Sequence, residues 1–320
     1  MQTIADIATR FNALRGQLDL VILGQEKVKT LAITSLLAGG HILLEGVPGT
    51  GKTLLSLALA RLLGCRFRRI QFTPDLMPAD LVGANIFNQK TQEFAFRPGP
   101  MFTDVLLADE INRTPPRTQA ALLESMQENA ATVDGVRYRI SPVFTVFATQ
   151  NPVEFEGTYP LPEAQRDRFL FKIAIDFPEA DDESRMLTAY AEGRRLHDDI
   201  VATLKPVIAA EELLAARKTV ASGVRVEPHI IKYIQEIVSR TRKDDAVQIG
   251  GGPRASLALL ESSRAAAALQ GRDYITPDDV KSLVAPVLSH RVTLSPEAEM
   301  EGLALEDLLA RIFDQVEVPR

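Results

Sequence analysis

Residues 46–53 have the types and the spacing of a phosphate-binding loop. They fit the pattern G-x-x-x-x-G-K-[ST] at every defined position. Glycines let the backbone turn tightly, so that successive N–H groups can point at phosphate oxygens. The Lys52 ammonium would reach the β- and γ-phosphates, and the Thr53 hydroxyl would bind Mg²⁺. The loop therefore predicts a nucleoside triphosphate and Mg²⁺ as ligands.

Two acids follow the apolar run at residues 105–108, and they are the second group of residues that could take part in a reaction. In proteins with a phosphate loop, a carboxylate at such a strand tip holds Mg²⁺, usually through water. We assign this role to Asp109, and we expect Glu110 to polarise a water toward the γ-phosphate. The alternative is a solvated pair that caps the next helix. Because the phosphate loop is complete, the nucleotide role is favoured over the cap, and the presence of the second acid favours hydrolysis.

Four more positions offer an amide or guanidinium group to a nucleotide. Asn151 follows another apolar strand, where it could bind the attacking water, although Asn before Pro is also a common turn pair. Arg166 and Arg168 precede the last predicted strand. From a neighbouring subunit such a group can stabilise phosphate charge, and the alternative is a surface ion pair with Asp167. Arg254 begins a helix, from which it could reach back to the same nucleotide or stay solvated.

Short apolar strands alternate with helical stretches in the first half of the chain. This alternation predicts a mainly parallel sheet with helices on both faces. The helix predicted at Leu54–Leu63 follows the phosphate loop, so its positive dipole end would add to the anion site. The predicted strands are His41–Glu45, Arg68–Phe72, Val105–Ala108, Val143–Thr149 and Phe169–Ile175.

A second, helical part follows a polar linker at Asp176–Asp182. Apolar residues at helical spacing predict helices at Glu211–Ala221, Pro228–Arg242 and Arg254–Gln270. Thr276 and Ser295, each followed by proline and acidic residues, predict two further helix starts. We therefore expect an α/β nucleotide domain at residues 1–178 and a helical domain at 179–320.

Composition limits the possible partners and compartments. A chain of 320 residues with 46% hydrophobic content is an ordinary globular protein of about two domains. Its net charge of −6 disfavours nucleic acid as the main partner. The lone Cys65 excludes an intramolecular disulfide and fits a reducing cytoplasm. No apolar run approaches ~18 residues, so we expect no membrane insertion.

Several segments together resemble the AAA+ ATPases, and more specifically the MoxR family, over about residues 20 to 290. The resemblance implies a P-loop NTPase core with a parallel sheet, a C-terminal all-α lid, and Mg²⁺-dependent ATP hydrolysis. The segments that carry it are Gly46–Thr53, Arg97–Pro100, Leu106–Arg113, Ala148–Pro152 and Tyr159–Phe169.

The resemblance also implies individual roles. Asp109 and Glu110 match the Walker B acids, and Asn151 matches sensor 1. Arg168 matches the arginine finger that acts across a subunit interface, with Arg166 as a rival two residues away. The residues implied to bind nucleotide, which include an adenine segment at 21–25 and the lid residue that matches sensor 2, are Val21, Ile22, Gly46, Pro48, Gly49, Thr50, Gly51, Lys52, Thr53, Leu54 and Arg254.

The resemblance implies that the protein forms a ring that acts on other proteins, and we expect this ring to be a hexamer. The ring would remodel or mature protein clients, which includes aiding metal-cofactor insertion, together with partner proteins that carry von Willebrand factor A domains. Hairpins predicted at 85–96 and 132–138 would face a central pore, or would only cover sheet edges. The rival functions are a nucleic-acid motor, an ATP-binding switch with negligible hydrolysis, and a small-molecule kinase.

Overall fold

The structure is a computed structural model that describes residues 3–151, 157–193 and 201–319. Its helices are α1 (Ile4–Leu18), α2 (Glu26–Ala38), α3 (Lys52–Leu62), α4 (Pro78–Val82), α5 (Pro116–Glu128), α6 (Glu163–Arg166), α7 (Ala180–Ala191), α8 (Val201–Thr203), α9 (Ala210–Gly223), α10 (Pro228–Thr241), α11 (Pro253–Leu269), α12 (Pro277–Leu288), α13 (Pro296–Met300) and α14 (Leu305–Asp314). Its strands are β1 (Ile42–Glu45), β2 (Phe67–Gln71), β3 (Gly83–Asn88), β4 (Glu93–Pro98), β5 (Val105–Asp109), β6 (Ala130–Val133), β7 (Val136–Arg139), β8 (Thr145–Gln150), β9 (Phe171–Ala174), β10 (Val247–Ile249) and β11 (Thr293–Leu294).

A parallel sheet with the strand order β2-β5-β8-β1-β9 forms the centre of the first domain. Its register places Gln71 opposite Asp109 and Glu45 opposite Gln150. The carboxyl ends of these strands therefore meet at one edge of the sheet, where α/β proteins bind their ligands. The predicted α/β core is confirmed.

Both faces of this sheet are buried, which explains its nearly continuous apolar strands. Ile42 and Leu44 pack into a large cluster shared with α1, α2 and α3. Leu43, between them, points to the opposite face and joins a second cluster with Leu122 and Leu123 of α5. Each such side chain contributes roughly 1.5–3 kcal/mol to stability by its burial. Strand β1 is therefore held firmly in the sheet, and the phosphate loop starts at its end.

Two antiparallel hairpins stand apart from the five-stranded sheet within the described chain. The β3–β4 and β6–β7 pairs confirm both hairpin predictions. Asp134 and Gly135 have φ values of 49° and 80°, the left-handed pair that a tight hairpin turn needs. The hairpins contact each other, since the Phe96 and Tyr138 rings stack at 3.9 Å and the Asn85 side chain donates to Asp134.

The C-terminal part is helical apart from the short β10–β11 ladder, which the helical pattern did not predict. The predicted linker is too long, because α7 already begins at Ala180 and Asp181 and Asp182 lie in its first turn. Acidic residues are favourable there, at the positive end of the helix dipole. Thr276 and Ser295 cap α12 and α13 as predicted.

The helical part docks on the nucleotide domain through α11. This helix packs against α1 and α2, and its buried residues belong to the same cluster as one face of the sheet. We call residues 201–319 the lid. No helix of the described residues combines the length and the apolar character that crossing a membrane requires.

Candidate active site

The phosphate loop links β1 to α3, and its backbone has the shape that the glycines permit. Gly49 and Gly51 have φ values of 87° and 84°, and a Cβ atom added at either would meet nothing within 4 Å. The α3 helix begins at Lys52, so its first N–H groups face the loop. The loop therefore offers an anion site at a helix N-terminus.

A cavity of about 450 Å³ opens over this loop, and we call it the phosphate cavity. It brings together the residues predicted at three separate strand ends. Its lining consists of Pro48, Gly49, Thr50, Gly51, Lys52, Thr53, Leu54, Arg69, Gln71, Asp109, Glu110, Thr149, Gln150, Asn151, Met186 and Tyr190. Asn151 is buried, and Pro152, the last residue of its motif, lies outside the described residues.

Lys52 lies across the phosphate loop. Its ammonium donates to the main-chain oxygens of Gly46 at 2.5 Å and Val47 at 2.9 Å. Partial burial lowers the pKa of Lys52, while the charges of Asp109 and Glu110 act in the opposite direction. The two acids thus favour the charged amine that a phosphate group needs.

One hydroxyl organises both acids at the end of β5. The buried Thr149 donates to Asp109 Oδ1 at 2.6 Å and accepts from the Glu110 N–H at 2.8 Å. Glu110 has a φ of 58°, in the left-handed region that costs a residue with a side chain about 1 kcal/mol or more. This turn ends β5 between the two acids, so the Thr149 contact stabilises a strained backbone at Glu110.

Strand β2 supplies partners for the same two acids. Arg69 donates to Asp109 Oδ2 from Nη2 at 2.6 Å and from Nε at 3.1 Å. Gln71 donates to Glu110 Oε2 at 2.6 Å, and Arg113 lies 3.0 Å from the same oxygen. Neither Arg69 nor Gln71 stands out in the sequence, because only the pairing of β2 with β5 brings them to the acids.

The donor set fits Mg²⁺. Thr53 and Asp109 line the same cavity and offer hydroxyl and carboxylate oxygens, the hard ligands that Mg²⁺ prefers. Among the described residues no cluster of three or more His, Cys, Asp or Glu side chains could hold a metal. Phosphate oxygens and water would therefore have to complete the coordination.

The predicted adenine segment lies beside the loop but not in the described cavity. Val21 and Ile22 are 1% and 6% exposed and belong to the hydrophobic core. The Gln25 side chain donates to the Thr50 main-chain oxygen at 3.2 Å, which ties the segment to the phosphate loop. Met186 and Tyr190 of α7 line the cavity instead, and α7 begins inside the segment predicted as a linker.

Arg168 and Arg254 are absent from the described lining of the phosphate cavity. They line a second cavity, of about 320 Å³, which we call the arginine cavity and which also contains His41, Asp167 and Arg291. Arg254 lies 3.6 Å from Asp167, and its contact with a nucleotide stays a prediction. The rival Arg166 lies 4.0 Å from Glu163.

Comparisons with known proteins agree with this geometry. The model of the family described as ATPase family associated with various cellular activities (AAA) matches residues 41–171, and the AAA lid domain matches residues 239–312. A crystal structure of a protein assigned as an ATPase from Cytophaga hutchinsonii superposes with a TM-score of 0.90 at 34% identity, over 99% of this chain and 97% of that one.

The curated relatives are similar over almost the whole chain. YeaC of Bacillus subtilis is 48% identical over 93% of this chain and 92% of its own length. Chaperone MoxR1 of Mycobacterium tuberculosis is 39% identical over 94% and 80%, and protein MoxR of Paracoccus denitrificans is 35% identical over 99% and 98%.

The fold and the phosphate cavity thus define an AAA+ ATPase with a helical lid. Within that class, the chain belongs to the MoxR family.

Proposed function

We propose that this protein is a Mg²⁺-dependent ATP hydrolase that works as a ring, in which each site is completed by the neighbouring subunit. The observation that carries this proposal is the separation of two cavities. The phosphate cavity contains the loop, both acids and Asn151, whereas the arginine cavity contains Arg168 and Arg254. One chain therefore has both halves of an ATPase site, and a second copy is needed to join them.

The residues of the phosphate cavity have distinct tasks in hydrolysis. Lys52 and the loop N–H groups would bind the phosphates, and Thr53 and Asp109 would hold Mg²⁺. When bound, Mg²⁺ neutralises charge on the β- and γ-phosphates. Glu110 would orient the attacking water and take its proton, and Asn151 would hydrogen-bond that water or the γ-phosphate.

Arg168 fits the role of a finger for the neighbouring site. Its Nε is buried and has no hydrogen-bond partner among the described residues. Asp167, the carboxylate next to it, is paired with Arg254 and Arg291 instead. No described residue forms an ion pair with Arg168, so its guanidinium is available to phosphate charge across an interface. We propose a hexamer, as the family resemblance implies.

The two hairpins support work on a protein client. They expose apolar side chains, with Ile86, Phe87 and Phe94 exposed by 46%, 48% and 72%. Exposed apolar groups of this kind are typical of protein-binding surfaces. A relative carries the name chaperone. We propose that ATP hydrolysis remodels or matures a protein client, including metal-cofactor insertion, with a partner that carries a von Willebrand factor A domain.

The test is the ATPase rate per subunit against protein concentration, for the wild type and for Arg168→Ala and Arg166→Ala. A shared site predicts a rate that rises with concentration and falls ~10³-fold for Arg168→Ala only. A loss only for Arg166→Ala would move the finger to that residue. A rate that is independent of concentration and insensitive to both changes would refute the ring.

A further inference from the structure

Arg291 is a buried arginine of the lid whose donors converge on the segment that carries Arg168. It follows the end of α12, is 9% exposed, and lines the arginine cavity. Its acceptors are Asp167 Oδ1 at 2.8 Å and the main-chain oxygens of Asp167, Phe169, Leu170 and Val287 at 3.1, 2.6, 3.1 and 2.6 Å. All but the Val287 oxygen belong to residues 167–170, on both sides of Arg168.

Residues 167–170 are therefore held between two bodies. On the side of the sheet, the Leu170 N–H donates to the His41 main-chain oxygen at 2.8 Å. On the side of the lid, Arg291 is joined by His290, whose Nε2 lies 2.9 Å from the Phe169 main-chain oxygen. The segment that carries Arg168 is thus a joint between the sheet and the lid.

Asp167 extends the same network to Arg254. Its Oδ1 accepts from Arg291, and its Oδ2 lies 3.6 Å from Arg254 at the start of α11. One carboxylate thereby links Arg254 to the buried Arg291, and it is the chain neighbour of Arg168. Burial lowers the pKa of Arg291, and Asp167 opposes this shift by favouring the charged guanidinium.

We propose that Arg291 is a positioning residue for Arg168: it fixes residues 167–170 to the lid, so that Arg168 and Arg254 face the neighbouring subunit as one unit. This inference depends on the proposed ring, in which Arg168 completes a neighbour's site. A planar guanidinium can span a carboxylate and several carbonyls at once, whereas a lysine ammonium is a compact point charge. A change of Arg291 to Lys therefore keeps the charge and loses the geometry.

The variants are Arg291→Lys and Arg291→Met, with Arg272→Met as the matched control. Arg272 also forms a largely buried lid pair, at 2.6 Å from Asp279, but at the opposite end of α12 and away from residues 167–170. We expect both Arg291 variants to lower kcat about 10- to 100-fold, as displaced catalytic groups do. Their affinity for the fluorescent nucleotide mant-ATP should stay unchanged, because the phosphate cavity is intact. Arg272→Met should change kcat less than about 3-fold.

Mixed rings separate positioning from a merely structural role. Lys52→Ala subunits lack phosphate binding but have an intact Arg168. Mixed one to one with Arg168→Ala subunits, they should restore about a quarter of the wild-type rate, since a quarter of the interfaces join an intact loop to an intact finger. Arg291→Lys subunits should be rescued in the same way, because the partner supplies a correctly held finger.

The outcomes distinguish the two proposals. No rescue of Arg168→Ala by Lys52→Ala would refute the ring itself. If Arg168→Ala is rescued, two results would overturn the role of Arg291 alone. One is a wild-type kcat for Arg291→Lys, and the other is a folded Arg291→Lys variant that is not rescued. If Arg291→Met fails to fold by circular dichroism, Arg291→Lys decides the matter.

Discussion

The phosphate cavity and the arginine cavity are built in different ways. The first is assembled from the ends of neighbouring parallel strands, so a single sheet determines where its loop, acids and amide lie. The second exists only where the lid meets residues 167–170. The positions of the loop, the acids and the amide thus depend on one sheet, whereas the arginine cavity depends on how the lid docks.

The largest expected effect separates binding from turnover. Glu110→Gln and Arg168→Ala should each lower kcat by about 10²-fold or more, because each removes a group that acts on the reacting phosphate or water. Both should still bind ATP, whereas Lys52→Ala should not. Retention of radiolabelled ATP on a filter, beside steady-state turnover, measures the two properties.

The exposed Glu124 provides the control for that experiment. Glu124→Gln should match the wild type in both assays. Wild-type turnover in Glu110→Gln would instead favour an ATP-binding switch over a hydrolase. Loss of ATP binding in Arg168→Ala would show that the two cavities are not independent.

Acid should lower the free energy of unfolding through two histidines, one in the arginine cavity and one bound to the segment that carries Arg168. Burial lowers the pKa of His41 from 6.5 to about 4, and burial also lowers the pKa of His290 well below its usual value. Both groups are protonated more readily in the unfolded chain. Their contribution to stability is therefore complete above about pH 6.5 and is lost as the pH falls toward 4.

For His41 the loss should be on the order of 2 kcal/mol between pH 7.5 and pH 5. Urea unfolding at the two pH values measures it, and His41→Gln should reduce the pH dependence by about that amount. His229→Gln, at an exposed histidine, should leave the dependence as it is. An equal pH dependence in His41→Gln and His229→Gln would contradict this assignment.

The smallest effect concerns Arg69, the partner of Asp109, which is proposed to hold Mg²⁺. Arg69 and Mg²⁺ would compete for Asp109, and the Arg69 side chain is half exposed, so its ion pair is weak. Arg69→Met should lower the Mg²⁺ concentration needed for half-maximal turnover by about 2- to 5-fold. Titration of turnover with Mg²⁺ tests this, with the exposed Arg68→Met as control. A higher Mg²⁺ requirement in Arg69→Met would mean that Arg69 positions Asp109 rather than competing for it.

The difference between the cavities also explains what the sequence could predict. The loop, Asp109, Glu110 and Asn151 lie in contiguous motifs at strand ends, so their meeting required only a parallel sheet. Arg69 and Thr149 were not predicted, because their roles depend on which strands are neighbours, and local patterns do not contain strand order.

Longer-range packing accounts for the other differences between the predictions from the sequence and the structure. Tyr190 lines the phosphate cavity from α7, and local sequence patterns did not predict that this helix lies at the cavity. Arg254 faces Asp167 because α11 docks on α1 and α2. The nucleotide roles of Val21 and Ile22 stay predictions. The choice between Arg168 and Arg166 also stays a prediction, and the ATPase rates of Arg168→Ala and Arg166→Ala decide it.

The aromatic pair near the tip of the β3–β4 hairpin bears on the affinity for a protein client. Phe87 and Phe94 lie with ring centroids 5.3 Å apart and are largely exposed. Such a pair is far smaller than a stable protein interface, so one subunit would hold a client only weakly. In a ring the same pair recurs in every subunit, and each contact raises the effective concentration of the next. Client retention would then be a matter of avidity, set by how many subunits engage at once rather than by the strength of any one contact.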